Sequence, residues 1–110
     1  MNILFICSRN KWRSRTAETI FKNDVRHSVK SAGTDEGAKV KLTGKLLNWA
    51  DIIFVMEDKH KQKIRNKFNS KDYNNKIIVL DIEDTYHYLD AELIETIKIS
   101  VSPYLDNVKD

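Results

Sequence analysis

The sequence predicts an α/β fold, a four-stranded parallel sheet with helices on both faces. Four short apolar runs each precede a segment with apolar residues at helical spacing, which gives the order βαβαβαβα. At 110 residues the chain is long enough for one sheet covered by helices and too short for two cores. We therefore expect a single domain over residues 1–110.

The predicted strands differ from the helices in their apolar pattern. Strands are predicted over residues 2–6, 28–32, 51–56 and 76–80. The first, Ile3-Leu4-Phe5-Ile6, is apolar at every position, as expected for a parallel strand buried on both faces. Helices are predicted over residues 15–23, 42–49, 59–68 and 91–101.

Capping residues and turn chemistry set the expected ends of these elements. Thr43 and Asp90 are expected to cap the second and fourth helices. Pro103 is expected to end or kink the last helix. The polar stretches 35–41, 70–75 and 81–90 predict loops and turns.

The most informative segment follows the first strand. It reads Cys7-Ser8-Arg9-Asn10-Lys11-Trp12-Arg13-Ser14. A loop between a strand and a helix predicts an oxyanion site, because backbone N–H groups of the loop and of the helix start can converge on a phosphate. Arg13 is the candidate clamp for two phosphate oxygens. Cys7 is the candidate nucleophile, since the same positive surroundings favour a thiolate.

The other loop residues are candidate substrate contacts, namely Ser8, Arg9, Asn10, Lys11, Trp12 and Ser14. Asn10 is expected to shape the loop, since asparagine tolerates the left-handed backbone conformation. Trp12 is equally well explained as a packing residue. Ser14 fits either a hydrogen bond to the thiolate or a helix cap.

A leaving oxygen needs a proton, so a carboxylic acid should face the thiolate. The candidates follow the fourth strand, whose carboxyl end lies at the same sheet edge as Cys7. They are Asp81, Glu83, Asp84 and Asp90. Asp90 is best explained as a helix cap. Asp81, at the strand end, and Asp84 both remain candidates for the acid.

Composition excludes several function classes. The net charge is only +3, and no basic cluster alternates with aromatic residues, so we expect no nucleic-acid partner. No apolar run reaches membrane length. One cysteine and a strand directly after Met1, without a signal peptide, predict a cytoplasmic protein.

The histidines are His27, His60 and His87, and their spacing is not that of metal ligands. We therefore expect their side chains to be solvated or locally bonded, and we expect neither a metal nor another cofactor.

Five motifs together resemble the low-molecular-weight protein tyrosine phosphatases. They are the Cys7-to-Ser14 loop, Thr16-Ala17-Glu18, Ser31-Ala32-Gly33-Thr34, Val55-Met56-Glu57-Asp58 and Asp84-Thr85-Tyr86. The resemblance covers nearly the whole chain. It implies a phosphocysteine intermediate on Cys7, with Asp84 as general acid and base, and it favours the thiolate hydrogen bond for Ser14. It also implies that Tyr86 lines the pocket.

The resemblance further implies the partners: a phosphorylated protein or small phosphate ester as substrate, inorganic phosphate as product, and a monomeric enzyme. Two residues and one stretch of the chain depart from the family pattern. Thr85 replaces the usual proline, and Trp12 stands where many relatives have a second cysteine. Residues 35–48 form a shorter stretch than in typical members, where this region supplies a wall of the substrate pocket.

Three other functions fit parts of the sequence. A phosphocarrier also places a cysteine after the first strand of a parallel sheet, but Arg13 and Asp84 favour hydrolysis. Arsenate reduction would need an external thiol, because Cys7 is the only cysteine. A module that only binds phosphorylated ligands is compatible with the short stretch at 35–48.

Overall fold

The computed structural model describes residues 1–68 and 71–105. The strands are β1 (Asn2–Cys7), β2 (Ser28–Gly33), β3 (Ile52–Val55) and β4 (Ile77–Val79). All pairings are parallel, and the described strands form one sheet in the order β2-β1-β3-β4. Strand β2 lies on one side of β1, and β3 and β4 lie on the other. The topological switch point, where open α/β folds bind ligands, is therefore at the carboxyl end of β1.

Helices cover both faces of this sheet. They are α1 (Arg13–Phe21), α2 (Gly44–Trp49), α3 (Asp58–Phe68) and α4 (Ala91–Leu105), with a 3₁₀ helix over Lys71–Lys76. One core cluster contains Ala17 of α1 and Leu93 of α4, and the other contains Leu47 of α2 and Ile64 of α3. The predicted fold class is therefore confirmed. Within the described ranges, no helix has both the length and the apolar character needed to cross a membrane.

Strand β1 is buried on both faces, as its apolar run predicts. Ile3 and Phe5 belong to the cluster with α1 and α4, whereas Leu4 and Ile6 belong to the opposite cluster. All four are fully buried, and each such side chain stabilises the fold by about 1.5–3 kcal/mol. Cys7 belongs to the same cluster as Ile3 and Phe5. Because side chains alternate along a strand, the thiol lies on the face of the sheet that packs against α1 and α4.

The expected caps are confirmed. The Thr43 hydroxyl accepts a hydrogen bond from the Leu46 N–H at 3.2 Å. The Asp90 carboxylate accepts one from the Glu92 N–H at 2.9 Å. Of the turn expected over 70–75, the part from Lys71 forms the 3₁₀ helix, and position 70 lies outside the described residues.

Pro103 does not end the last helix, because α4 continues through it to Leu105, and the alternative expectation of a kink stays a prediction. Val101 and Leu105 are buried in the core cluster next to α1. The Tyr104 ring also packs edge-on against Phe54, with 5.7 Å between centroids. This packing of the final turn offsets the N–H group that proline lacks.

Gly33, at the end of β2, lies against the loop that follows β1. A Cβ there would stand 2.5 Å from the Ser8 carbonyl oxygen and 2.9 Å from the Asn10 nitrogen. Both are backbone atoms, so the loop itself would have to move. The glycine of the Ser-Ala-Gly-Thr motif therefore provides the space in which this loop packs.

Replacing Gly33 by alanine should lower the free energy of unfolding by about 1–3 kcal/mol, because the added methyl group overpacks against the loop. Gly37→Ala is the matched control, since a Cβ at Gly37 meets nothing within 4 Å. Urea unfolding of both variants measures the difference. Equal stability of the two variants would contradict this close approach.

Candidate active site

The loop at residues 8–12 leads from β1 into α1 across the carboxyl edge of the sheet. Trp12 occupies the N-cap position without a side-chain cap, and the first turn of α1 carries no acidic residue. The first N–H groups of the helix are therefore left without a side-chain acceptor from the cap. A bound anion would satisfy them and would be stabilised by the helix dipole.

Asn10 gives the loop its shape. Its backbone is left-handed, with φ of 58°, as expected from its residue type, and the residue is 1% exposed. Its Nδ2 donates hydrogen bonds to the hydroxyl oxygens of Ser14 at 2.8 Å and Ser31 at 2.9 Å. The side chain thus ties the loop to both α1 and β2.

The Ser14 hydroxyl lies 2.9 Å from the Cys7 sulfur, and both groups are buried. Because the Asn10 amide nitrogen can only donate, the Ser14 oxygen accepts from it and keeps its own hydrogen for the sulfur. The Ser31 hydroxyl in turn donates to Glu18 at 2.5 Å. The donation from Asn10 to Ser14, followed by that from Ser14 to Cys7, suits a sulfur that carries negative charge.

Arg13 is 2% exposed and is held by three groups from distant parts of the chain. Its Nη1 donates to the Glu57 carboxylate at 2.5 Å and to the Ile82 carbonyl at 2.8 Å. Its Nε lies 3.6 Å from a carboxylate oxygen of Asp84. With Nη1 occupied, Nε and Nη2 are the donors that suit bidentate contact with a phosphate.

Glu57 lies two residues after the end of β3. It is a site residue that the sequence analysis did not identify. Partial burial alone would raise the pKa of its carboxyl group, but the hydrogen bond and charge of Arg13 outweigh this and lower the pKa. It is therefore ionised when it orients Arg13. The available signal was its position, since an acid after a parallel strand lies at the same edge as Cys7.

His60 is a second residue that sequence analysis did not place at the site. It is completely buried, and its Nδ1 accepts a hydrogen bond from the Glu57 N–H at 3.0 Å. The neutral ring therefore carries its hydrogen on Nε2, which donates to the Ser8 hydroxyl at 2.9 Å. Burial, reinforced by the charge of Arg13, lowers its pKa to about 4. A neutral histidine thus supports the loop and leaves the Ser8 hydroxyl free to donate.

The segment after β4 brings Asp84, rather than Asp81, to the site. Asp84 lines the same cavity as Cys7, whereas Asp81 is exposed, with a left-handed backbone, and does not line it. The Ile82 N–H donates to the Met56 carbonyl at 2.7 Å, and the Leu89 N–H donates to Thr16 at 2.9 Å. Both ends of this acid-bearing segment are therefore anchored, although Thr85 replaces a proline.

A cavity of about 330 Å³ opens between this segment and the loop after β1. Its lining includes most of the predicted site residues, together with the unpredicted Asp35: Cys7, Ser8, Arg9, Lys11, Trp12, Arg13, Asp35 and Asp84. Asn10 and Ser14 are buried behind the lining. Tyr86 packs against the core cluster and does not line this cavity.

No protein-family model and no curated protein matches the chain significantly. Solved structures do match it over nearly its whole length. A YwlE arginine phosphatase, a cysteine-to-serine mutant with a phosphorylated active-site serine, has a TM-score of 0.75 at 22% identity, covering 99% of this chain and 98% of its own. The low-molecular-weight protein tyrosine phosphatase SP-PTP of Streptococcus pyogenes has a TM-score of 0.82 at 15% identity, covering 99% and 93%.

The tyrosine phosphatase Wzb of Escherichia coli, in complex with phosphate, has a TM-score of 0.78 at 19% identity and covers 97% of each chain. Identities this low establish the fold and leave the activity to be argued from the site. The chain has the fold of the low-molecular-weight protein tyrosine phosphatases, so the fold that the sequence resemblance implied is confirmed.

The burial of His60 predicts a pH-dependent stability. The unfolded chain takes up a proton at this histidine near pH 6.5, whereas the folded chain does so only near pH 4. Stability should therefore fall as the pH drops through this window, by up to about 1.4 kcal/mol per pH unit. The lowered pKa values of Asp35, Glu36 and Glu57 add a further loss only at the acidic end.

Urea unfolding between pH 7 and pH 4.5 tests this. His60→Gln should be less stable than the unmodified chain at pH 7 and should show a flatter dependence on pH. His87→Gln, at an exposed position, is the matched control and should retain the original slope. Parallel slopes for the unmodified chain and His60→Gln would contradict a buried neutral histidine.

Proposed function

We propose that this protein is a cysteine-dependent phosphomonoesterase that acts on phosphotyrosine proteins or small aryl phosphates. The proposal rests on one juxtaposition: Cys7, Arg13 and Asp84 line the same cavity at the switch point of the sheet. These side chains provide a nucleophile, a charge clamp and a proton donor. The fold shared with known phosphatases agrees with this assignment.

In the first step, the Cys7 thiolate attacks the phosphorus, an S–P bond forms and the bond to the leaving oxygen breaks. Nε and Nη2 of Arg13, with the loop N–H groups, stabilise the charge on the equatorial oxygens. Asp84 transfers its proton to the leaving oxygen, so the alcohol or phenol departs neutral. Arg13 and the backbone supply the positive charge, and the proposed step uses no metal or other cofactor.

In the second step, Asp84 as a carboxylate removes a proton from water, which attacks the phosphocysteine. The S–P bond breaks, inorganic phosphate leaves and the thiolate returns. Ser14, 2.9 Å from the sulfur, stabilises this thiolate by donating its hydrogen bond. The YwlE mutant with a phosphorylated active-site serine is a precedent, in a protein of this fold, for a phosphoryl group on the residue that replaces cysteine.

The proposal includes a cytoplasmic setting and a monomeric enzyme. Catalysis requires Cys7 as a free thiol, which a reducing compartment maintains. One chain already supplies the proposed nucleophile, charge clamp and proton donor to this cavity, which supports a monomeric enzyme.

The side chains at the cavity mouth favour an aryl ester over phosphoarginine. Arg9 and Lys11 line the cavity, whereas its carboxylates, Asp35 and Asp84, are paired with other cations, Lys63 and Arg13. The positive charge of a guanidinium leaving group would therefore be repelled there. Trp12 lies beside Arg9 and Lys11 and offers an aromatic surface on which the tyrosine ring can pack. We therefore expect a phosphotyrosine peptide to be hydrolysed at least tenfold faster, by kcat/KM, than its phosphoarginine counterpart. Phosphate release from matched peptides measures this, and a preference for phosphoarginine would contradict it.

Leaving-group dependence tests the role of Asp84. Phenolate needs a proton far more than nitrophenolate does, so Asp84→Asn should reduce kcat on phenyl phosphate by about 10²–10⁴-fold and on p-nitrophenyl phosphate by much less. Asp81→Asn is the matched control and should retain the original rates. Cys7→Ser should be inactive on both substrates.

Equal losses on the two substrates for Asp84→Asn would contradict its assignment as the proton donor. A loss confined to Asp81→Asn would transfer that role to Asp81. Turnover by Cys7→Ser would overturn the proposed function itself.

A further inference from the structure

A second depression, of about 610 Å³, adjoins the cavity that contains Cys7. Four cationic side chains line it, Arg9, Lys11, Arg15 and Lys39, and we call it the basic groove. Trp12 and Tyr88 form aromatic parts of its wall. The groove thus concentrates positive charge in a protein whose net charge is only +3.

The four cations of the basic groove outnumber the acid in its lining, Asp35. None of these four cations forms an ion pair among the described residues, whereas four lysines elsewhere do: Lys41, Lys59, Lys63 and Lys67. Asp35 also lines the groove, but it is paired with Lys63 at 2.9 Å. The positive field of the groove is therefore available to an anionic ligand.

The groove is held in place by contacts within the fold. The Arg15 guanidinium lies over the Tyr88 ring, 4.7 Å from its centroid. The Tyr88 hydroxyl is 2.8 Å from the Thr19 hydroxyl, and the Lys39 N–H donates to the Arg9 carbonyl at 3.0 Å. The Arg15 guanidinium is thus preorganised and loses less conformational freedom when a ligand binds, while the backbone of Arg9 and Lys39 is fixed.

The basic groove and the cavity share Arg9, Lys11, Trp12 and Asp35. A peptide whose phosphorylated side chain enters the cavity would therefore lie along the groove. We propose that the basic groove binds acidic residues that flank the phosphorylated residue of a protein substrate. The inference rests on the proposed function and specifies the substrate as an acidic phosphorylated segment.

The experiment compares three substrates: p-nitrophenyl phosphate, a phosphotyrosine peptide with flanking aspartates and glutamates, and the same peptide with asparagines and glutamines. The acidic peptide should have about five- to tenfold the kcat/KM of the neutral one at low salt, as expected for several exposed charge pairs. The advantage should fall as salt screens the groove. Equal values for the two peptides would overturn the inference while leaving the proposed function intact.

Lys39→Glu tests the groove directly, because Lys39 is exposed and does not line the cavity. Its acidic-to-neutral ratio of kcat/KM should fall at least about twofold, while Arg9, Lys11 and Arg15 retain part of the preference. Lys98→Glu is the matched control, since it makes the same charge change at an exposed position of α4, in a depression next to Asp24 and Arg26. It should retain the original ratio, and an equal fall in both variants would overturn the inference.

Binding to the Cys7→Ser protein separates this inference from catalysis. By fluorescence anisotropy, the acidic phosphopeptide should bind about five- to tenfold more tightly than the neutral one, even if the enzyme proves inactive on every ester. Tighter binding of single-stranded DNA or anionic vesicles than of the acidic peptide would overturn the inference in favour of another polyanion.

Discussion

The burial of the Arg13 guanidinium is the constraint on which the site depends. A buried cation is tolerated only when it is paired and hydrogen-bonded, and Arg13 obtains its partners from two distant segments. Glu57 follows β3, and Ile82 follows β4, so one side chain of α1 joins three parts of the sheet edge. The same contacts that make burial tolerable fix the plane in which the remaining donors meet a phosphate.

The loop around Arg13 depends on hydrogen bonds between polar side chains that are buried or partly buried. Asn10 takes up the left-handed conformation and donates to two hydroxyl groups, while His60 fixes Ser8 from the other side. Such a network holds its shape through directional bonds, which apolar packing alone would not provide. Catalysis of the proposed kind relies on donors that are already in position before the reaction. Because folding fixes this network, the donors need not reorganise when the transition state forms.

The sequence predicted the loop, whose residues are close together in the chain, and, through the family resemblance, the distant Asp84. The loop from Cys7 to Arg13 was recognisable because the strand, the loop and the helix follow one another, and the apolar run of β1 placed it at the sheet edge. Glu57 and His60 were missed because they meet Arg13 and Ser8 only after β3 is inserted next to β1. The helix was expected to end before Pro103, but the burial of Val101 and Leu105, a tertiary effect, keeps the chain helical through it. The groove needed the folded arrangement of Arg15, Lys39 and Tyr88.

The proposed chemistry requires this network to hold Cys7 as the nucleophile of a phosphoryl transfer. Rapid quenching of the enzyme in alkaline denaturant during turnover of p-nitrophenyl phosphate, followed by mass spectrometry of its peptides, would detect the intermediate. One phosphoryl group is expected on the peptide that contains Cys7, and it should be lost as inorganic phosphate when turnover continues. Turnover without a phosphorylated enzyme, or with phosphate on a different residue, would show that Cys7 is not the nucleophile.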